Sequence, residues 1–493
     1  MALAPFADIL GADLSGVRGA LLAAPYDLEK ATRIDRAAVM MNALDMDAAL
    51  EAVPGDEPGH IATRLFMLAR AETAEALGRV FPTRDRDLLL SLGVLERDGA
   101  RYRAGISILP MDEGLVTRDF NALIDKRPMR PDHVLGAGPS AQLLLGLTVR
   151  RPARRVLDLG VGQGVQSLAA AAHAGQVLGT DINPRALSAA ALTAKLNDRA
   201  NIALRQGSLF EPVAGEMFDL IVANPPFLIV PPSDLTAVAG RTEGDALVER
   251  IAREGPSHLD DGGWMCMMAS WHHPTPETWV DKPRAWLDGH GCDVWVVAYD
   301  THTPDECTMK FRLEFPDSPL GAIPRAEWLR YYERLGAAYI TMGVFFVRRR
   351  RGANWTRLER TTPDFRRPGA GRVIEAVFDN EAFLAEHPAA ALLERRATLL
   401  DSVEVEQRWR AAGDGGLEVA SAIVRHVSSL QLPLNAAASV LRVLTQVDGE
   451  RTLGEVLDIV ADSLGTPRAA LRAQGVSGLE VLARRGVFRL LAE

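Results

Sequence analysis

Apolar positions along this chain change rhythm near residue 130. Before that point they recur at helical spacing. Ile61, Leu65, Leu68, Ala69 and Ala76 fall on one face and predict a helix over Ile61–Leu77. Leu88–Leu92 predicts another, followed by two short strands turning about Asp98-Gly99, a strong hairpin signal. A helix followed by a hairpin resembles a winged-helix wing, which binds DNA in some proteins and lids a pocket or forms a dimer contact in others. After residue 130, apolar runs alternate with helical stretches. Val156–Leu159, Gln176–Thr180, Ile202–Gln206, Leu220–Ala223, Trp264–Ser270, Val294–Tyr299 and Tyr339–Arg348 read as seven strands. This alternation predicts an α/β class fold with a doubly wound, mostly parallel, Rossmann-like sheet. Such sheets bind ligands beyond the carboxyl ends of their strands.

The last hundred residues return to helical spacing. Leu434–Leu444 precedes Gly449, which can stop a helix, and Thr452 with Glu455 forms a capping box for the next. Between these regions, Arg348–Arg372 carries nine arginines against Glu359 and Asp364, a local charge of +7. Pro363, Pro368, Gly369 and Gly371 make the stretch loop-like. It reads as a solvated linker or as a patch for phosphates or an acidic partner. The expected organisation is a helical N-terminal domain with a wing-like hairpin over 1–130 and the α/β domain over 131–355. An Arg-rich connecting segment over 356–410 and a small helical, winged-helix-like unit over 411–493 complete it.

Length agrees with several domains, since 493 residues at about 150 each give roughly three. Apolar residues at 47% and charged residues at 24% describe an ordinary soluble composition. The formal net charge of −9 argues against non-specific nucleic-acid binding by the whole surface, without excluding a local basic patch. Cys266, Cys292 and Cys307 show no CxxC spacing, so no disulfide framework or structural zinc is expected, in a reduced cytoplasmic setting. Met1–Leu10 has no positive charge and Asp8 interrupts it, so no signal peptide is expected. No uncharged apolar run reaches the ~18 residues of a membrane span.

Two segments carry chemistry. The first is Val156-Leu157-Asp158-Leu159-Gly160-Val161-Gly162-Gln163-Gly164. Gly160, Gly162 and Gly164 let the backbone turn sharply and approach a ligand with no Cβ in the way. The loop follows a strand and opens a helix, whose free N–H groups suit a carboxylate or a phosphate. The spacing is GxGxG after an acid, not the dinucleotide GxGxxG. Asp158 suits the cationic amino group of S-adenosylmethionine (SAM) and would repel a pyrophosphate. Asp181, at the end of the second strand, is placed for two ribose hydroxyls, and Ile182 for the adenine face. The third strand ends in Gly207-Ser208-Leu209-Phe210, where Ser208 and Leu209 would meet the adenine edge.

The second segment is Asn224-Pro225-Pro226-Phe227, behind the apolar run Phe218–Ala223. An amide or aniline-like nitrogen is a poor nucleophile because its lone pair is delocalised. The Asn224 side-chain oxygen and the Pro225 carbonyl can each accept one N–H and turn that pair toward an incoming methyl group. Proline fixes φ, and the residue before proline is held extended, so the carbonyls are pre-aimed. Phe227 can stack on the flat substrate group. Asn224 therefore counts as both catalytic and cofactor-adjacent. Two further groups weigh less. Trp271-His272-His273-Pro274 lines a rim or is structural, because adjacent histidines do not easily share a metal, and no metal is expected. Gly244-Asp245 could cap a helix or touch substrate, and reads better as a cap.

With these motifs together, residues 131–350 resemble the methyltransferase-small group of class I SAM methyltransferases, which includes release-factor glutamine N5-methyltransferases and ribosomal RNA guanine-N2-methyltransferases. Asn224, Pro225, Pro226 and Phe227 match the group's motif, and Asp158, Gly160, Gly162 and Gly164 its cofactor motif. Gly136–Gln142 stands where those families cover the cofactor, while Ser208 departs from their usual Asp. The C-terminal unit is similar to winged-helix modules that hold leader peptides in peptide-modifying enzymes. The resemblance implies methylation of an amide or exocyclic amino nitrogen, with S-adenosylhomocysteine as product. The acceptor is RNA, a protein or peptide, or a small molecule such as a natural product. The rivals are a NAD-linked oxidoreductase on a similar sheet and a SAM-binding protein without catalysis.

Overall fold

The computed structural model describes residues 3–24, 45–121, 124–125, 129–232, 242–314, 318–361, 369–411 and 416–491. Its central sheet has eight strands: β1 (Ala153–Leu159), β2 (Ala174–Asp181), β3 (Ile202–Gln206), β4 (Phe218–Ala223), β5 (Leu259–His273), β6 (Cys292–His302), β7 (Tyr339–Arg349) and β8 (Thr356–Arg360). They lie in the order β3-β2-β1-β4-β5-β7-β6-β8. The pairs β1/β2, β2/β3, β1/β4, β4/β5 and β6/β8 are parallel. Strand β7 runs against β6: its early residue Thr341 bonds Thr301 near the end of β6, and Arg350, just past β7, bonds Gly291, just before β6. The centre of β5 is buried without alternation, as expected for a strand covered on both faces.

Strand order turns at β1 and β4: the chain winds outward from β1 through β2 to β3, then crosses to β4. Their carboxyl ends therefore open a crevice, and both chemical segments follow those ends. Helix α1 (Val165–Ala170) starts directly from the glycine loop, and α2 (Pro184–Leu196) follows β2. Asn183 caps α2 by accepting the Arg185 N–H, with Pro184 in the first turn.

By compactness the described chain divides into two units, one of residues 1–142, 151–287 and 300–345, the other of 143–150, 288–299 and 346–493. In the first unit, Glu72–Thr73, Leu95–Asp98 and Arg101–Ala104 form a three-stranded antiparallel sheet beside helices Ala74–Val80 and Thr83–Ser91. The hairpin turn has Gly99 at φ +60°. The helix expected over Ile61–Leu77 is broken. It ends at Phe66, Ala69 takes φ +53°, and Thr73 caps a new helix from Ala74. Pairing of Glu72 and Thr73 with Tyr102 and Arg101 overrides the helical spacing. A second hairpin, Ser107–Met111 with Gly114–Arg118, lies against α2: Thr117 bonds Thr193 and the Ala189 carbonyl, and Asn197 bonds both Leu115 backbone groups.

In the second unit, β8 replaces part of the expected loop. Its charged alternation hides a strand, because Arg357 lays its guanidinium over the Trp295 ring at 4.4 Å. Helix Gly371–Glu386 follows. The capping box of Thr452 and Glu455 forms as expected, opening helix Leu453–Leu464. That helix and Arg468–Arg484 enclose a core of Leu457, Val460, Leu479, Leu482 and Phe488. Leu434–Ala436, expected as helix, is instead a strand against Ala422–Val424. No described helix is long and apolar enough to cross a membrane.

Candidate active site

Gly160, Gly162 and Gly164 take φ of +77°, +53° and +85°, the region that favours glycine. A Cβ on Gly164 would stand 3.2 Å from the Ala190 backbone of α2, whereas one on Gly160 would meet nothing within 4 Å. The loop is thus pressed onto α2 on one side and clear on the other. Asp158 lies beneath it, 2% exposed. One Asp158 carboxylate oxygen accepts the Ser167 backbone N–H at 2.8 Å and the Ser167 hydroxyl at 2.7 Å, in the first turn of α1. Burial pushes this carboxyl up to about 7; the Ser167 hydrogen bonds oppose the shift and the Asp181 charge adds to it.

Asp181 accepts the Gly162 N–H at 3.0 Å with one oxygen and the Asn183 N–H at 2.8 Å with the other, so it braces the glycine loop from β2. Burial raises its pKa against those bonds. Each oxygen keeps a further lone pair for a ligand. Ile182 beside it is 41% exposed, leaving an apolar side chain open next to the loop. The Gly207 N–H bonds the Asp181 carbonyl, which brings the β3 end to the β2 end. Ser208 is half-buried there, and Leu209 takes φ +48°, a strained conformation for leucine.

Asn224 stands one residue past β4. Its amide N–H reaches the Ser140 hydroxyl at 3.5 Å, the outer limit of a hydrogen bond. Its side-chain oxygen is buried and accepts no hydrogen bond from any described residue. Gln163 Oε1 and Thr180 Oγ1, on the glycine loop and at the β2 end, are buried and unpartnered as well. Such atoms are costly unless a partner arrives. Three of them gather at neighbouring strand ends, together with a clear glycine backbone and an exposed Ile182. This environment fits a polar cofactor with an apolar ring.

The Pro225-Pro226 backbone has no N–H to anchor it. The segment is held by its carbonyls instead. The Ser270 hydroxyl donates to the Phe227 carbonyl, and the Tyr332 hydroxyl donates to the Ile229 carbonyl at 2.9 Å. Phe227 itself is buried. Neither anchor belongs to a motif of the sequence. Ser270 left a signal, a lone hydroxyl inside the apolar run Trp264–Trp271, whereas Tyr332 left none.

The lesser candidates separate. His272 faces Lys282 at 2.9 Å, and His273 faces Thr341 at 2.9 Å, so the two rings do not converge. Burial lowers the His272 pKa, Asp245 opposes this and Lys282 adds to it. Asp245 does not cap its helix as expected. Its side chain makes no cap hydrogen bond and instead takes the His272 backbone N–H and the Lys282 ammonium, the latter at 2.6 Å, because the buried carboxylate needs a cation. In the Arg-rich stretch, Pro363, Asp364, Arg366, Arg367 and Pro368 lie outside the described residues. Arg348 pairs with Asp293 and Asp379, Arg350 with Asp293 and Glu386, and Arg357 with Glu359 and Glu381. These three guanidiniums are held by the chain's own carboxylates, so a phosphate would have to compete for them.

Residues 137–282 match the family model of the methyltransferase small domain, and residues 43–105 match a domain of unknown function. The chain is 31% identical over 265 residues to the release factor glutamine methyltransferase of Xylella fastidiosa, spanning 51% of this chain and 84% of that protein. It is 32% identical over 219 residues to the ribosomal protein uL3 glutamine methyltransferase of Bradyrhizobium diazoefficiens, spanning 40% of this chain and 65% of that protein. Among solved structures, a methyltransferase from Pyrococcus furiosus is similar at 17% identity and a TM-score of 0.27, covering 42% of this chain and 82% of that one.

Proposed function

The chain belongs to the methyltransferase-small family of class I SAM-dependent methyltransferases, the family of the release factor glutamine methyltransferases, and on that footing we propose that it methylates the side-chain amide nitrogen of a protein glutamine. It is a SAM-dependent methyltransferase. The observation that carries the acceptor is the buried Asn224 Oδ1, which has no partner among the described residues. A primary amide brings two N–H donors. One goes to Asn224 Oδ1 and the other to the Pro225 carbonyl, which turns the nitrogen lone pair out of conjugation. Phe227 packs on the amide plane, and Pro226 keeps the segment from relaxing. Two named relatives act on protein glutamines, which supports a glutamine over a nucleobase, and the internal pairing of Arg348, Arg350 and Arg357 points the same way.

The residues for the cofactor are Asp158 toward its amino group, Gly160, Gly162 and Gly164 along its methionyl chain, and Asp181 at its ribose. Ile182, Ser208 and Leu209 would lie around its adenine. When bound, SAM supplies an electrophilic methyl group on a sulfonium. Transfer of that methyl group to the nitrogen would release S-adenosylhomocysteine and one proton to solvent. Asn224 and Pro225 hold the nitrogen in line, and orientation of this kind supplies roughly 7–11 kcal/mol in well-positioned systems.

The test is Asn224→Ala assayed with methyl-labelled SAM and a glutamine-bearing release factor. Loss of one acceptor aimed at developing charge is expected to lower kcat about 10²–10³-fold. SAM affinity, measured separately by equilibrium binding, should change little. An Asn224→Ala enzyme of full activity refutes the assigned role.

A further inference from the structure

We propose that two copies of this chain associate through the strand Val403–Ala411, which pairs antiparallel with its own copy about a two-fold axis. The strand is the edge of a three-stranded sheet, with Leu417–His426 on its inner side and Leu434–Ala436 beyond. An unpaired strand edge is a ready template for another chain. This edge is long and regular. The one irregularity in the sheet lies between Arg408 and Trp409, where the paired residues jump from Ser421 to Val419. The extra residue is therefore Ala420 of the inner strand, and the edge strand runs unbroken over nine residues. Val405 and Gln407 to Ala411 are exposed, with Trp409 at 55% and, beside it on the inner strand, Leu417 at 70%.

Charge ordinarily protects such an edge by repulsion. Here the order of charges does the opposite. The strand reads Val403-Glu404-Val405-Glu406-Gln407-Arg408-Trp409-Arg410-Ala411. Antiparallel pairing centred on Gln407 sets Glu404 opposite Arg410 of the partner subunit and Glu406 opposite Arg408 of the partner subunit. It sets Val405 opposite Trp409 of the partner subunit. Each contact occurs twice, as an isologous interface requires. Residues directly opposite share one face, so charges meet charges on one face, and on the other Val405 and Trp409 meet on either side of the neutral Gln407 pair. A centre moved to Glu406 or Arg408 sets that residue against its own copy. A centre between two residues mixes charged with apolar positions. Only the Gln407 register is complementary throughout. On the inner side, Arg425 lies 3.4 Å from Glu404 and 3.5 Å from Glu406, and Arg410 lies 2.7 Å from Glu418. The new strand continues this ladder outward.

The test uses the full chain and two charge variants. Light scattering after size exclusion should give twice the monomer mass for the wild type. Arg408→Glu with Arg410→Glu makes an all-acidic edge, and Glu404→Arg with Glu406→Arg an all-basic one. Each alone should run as a monomer, and an equimolar mixture should regain the doubled mass. A monomeric wild type overturns the proposal. So do variants that dimerise like the wild type, or a mixture of monomeric variants that stays monomeric. Should a variant fail to fold, hydrogen exchange on the wild type decides: amides of Val403–Ala411 should lose protection on dilution, and concentration-independent exchange overturns the pairing.

Discussion

At the scale of single residues, the site sets a buried acceptor with no partner among the described residues near a buried carboxyl. Asn224 Oδ1 accepts no hydrogen bond among the described residues, and Asp158 is buried against Ser167. The Asp158 carboxyl has its pKa raised from 3.8 to about 7, chiefly by burial, so the fold favours its neutral form. Its contribution to stability is fully present below about 3.8 and is lost as pH rises through about 7. Asp158→Asn keeps an acceptor for Ser167 and removes the titration. In denaturant unfolding without SAM, the variant should gain on the wild type from pH ~4 to ~7 and then level off. A gap that stays flat with pH contradicts the assignment. The sharp turn at Gly160, Gly162 and Gly164 was legible in the sequence because glycine takes positive φ without strain. The bracing of Gly162 by Asp181 was not, because it depends on how two strands align.

At the scale of elements, the alternation of apolar runs was enough to place β1 to β7, since buried parallel strands leave continuous apolar stretches. It failed where tertiary pairing overrode local spacing. Glu72–Thr73 breaks a helix to join a sheet, and Leu434–Ala436 does the same. It failed again at β8, where Arg357 and Glu359 look like a solvated loop and are held by Trp295 and Glu381. The proposed acceptor-binding segment shows the same limit. Its Pro-Pro core was evident, but its anchors come from β5 and from helix Arg325–Arg334. Tyr332→Phe removes the hydroxyl under the Ile229 carbonyl and leaves that acceptor unpaired, at about 1–3 kcal/mol. Loosening of the segment should lower kcat about tenfold to a hundredfold with SAM affinity unchanged. A variant that is less stable but fully active would show Tyr332 to be structural only.

At the scale of the whole molecule, the first unit is knit by a buried ion pair that no motif announced. Arg185 of α2 donates twice to Asp119, one contact at 3.0 Å, and Asp119 also accepts the Val134 N–H at 2.9 Å. Asp119 thus ties the N-terminal hairpin to α2 and to the stretch leading into Gly136–Gln142. Asp119→Ala leaves Arg185 buried without its carboxylate and should destabilise by about 3–5 kcal/mol in denaturant unfolding. A loss below ~1 kcal/mol would show the pair to be dispensable. The acceptor atom can be read from the labelled product. Wild type and Asn224→Ala are incubated with methyl-labelled SAM and a release factor, and the labelled site is read by peptide mass spectrometry. Label is expected on a glutamine side-chain nitrogen with the wild type, and its loss with Asn224→Ala at undiminished SAM binding. Label on an oxygen, sulfur or carbon atom, or equal labelling by Asn224→Ala, contradicts it.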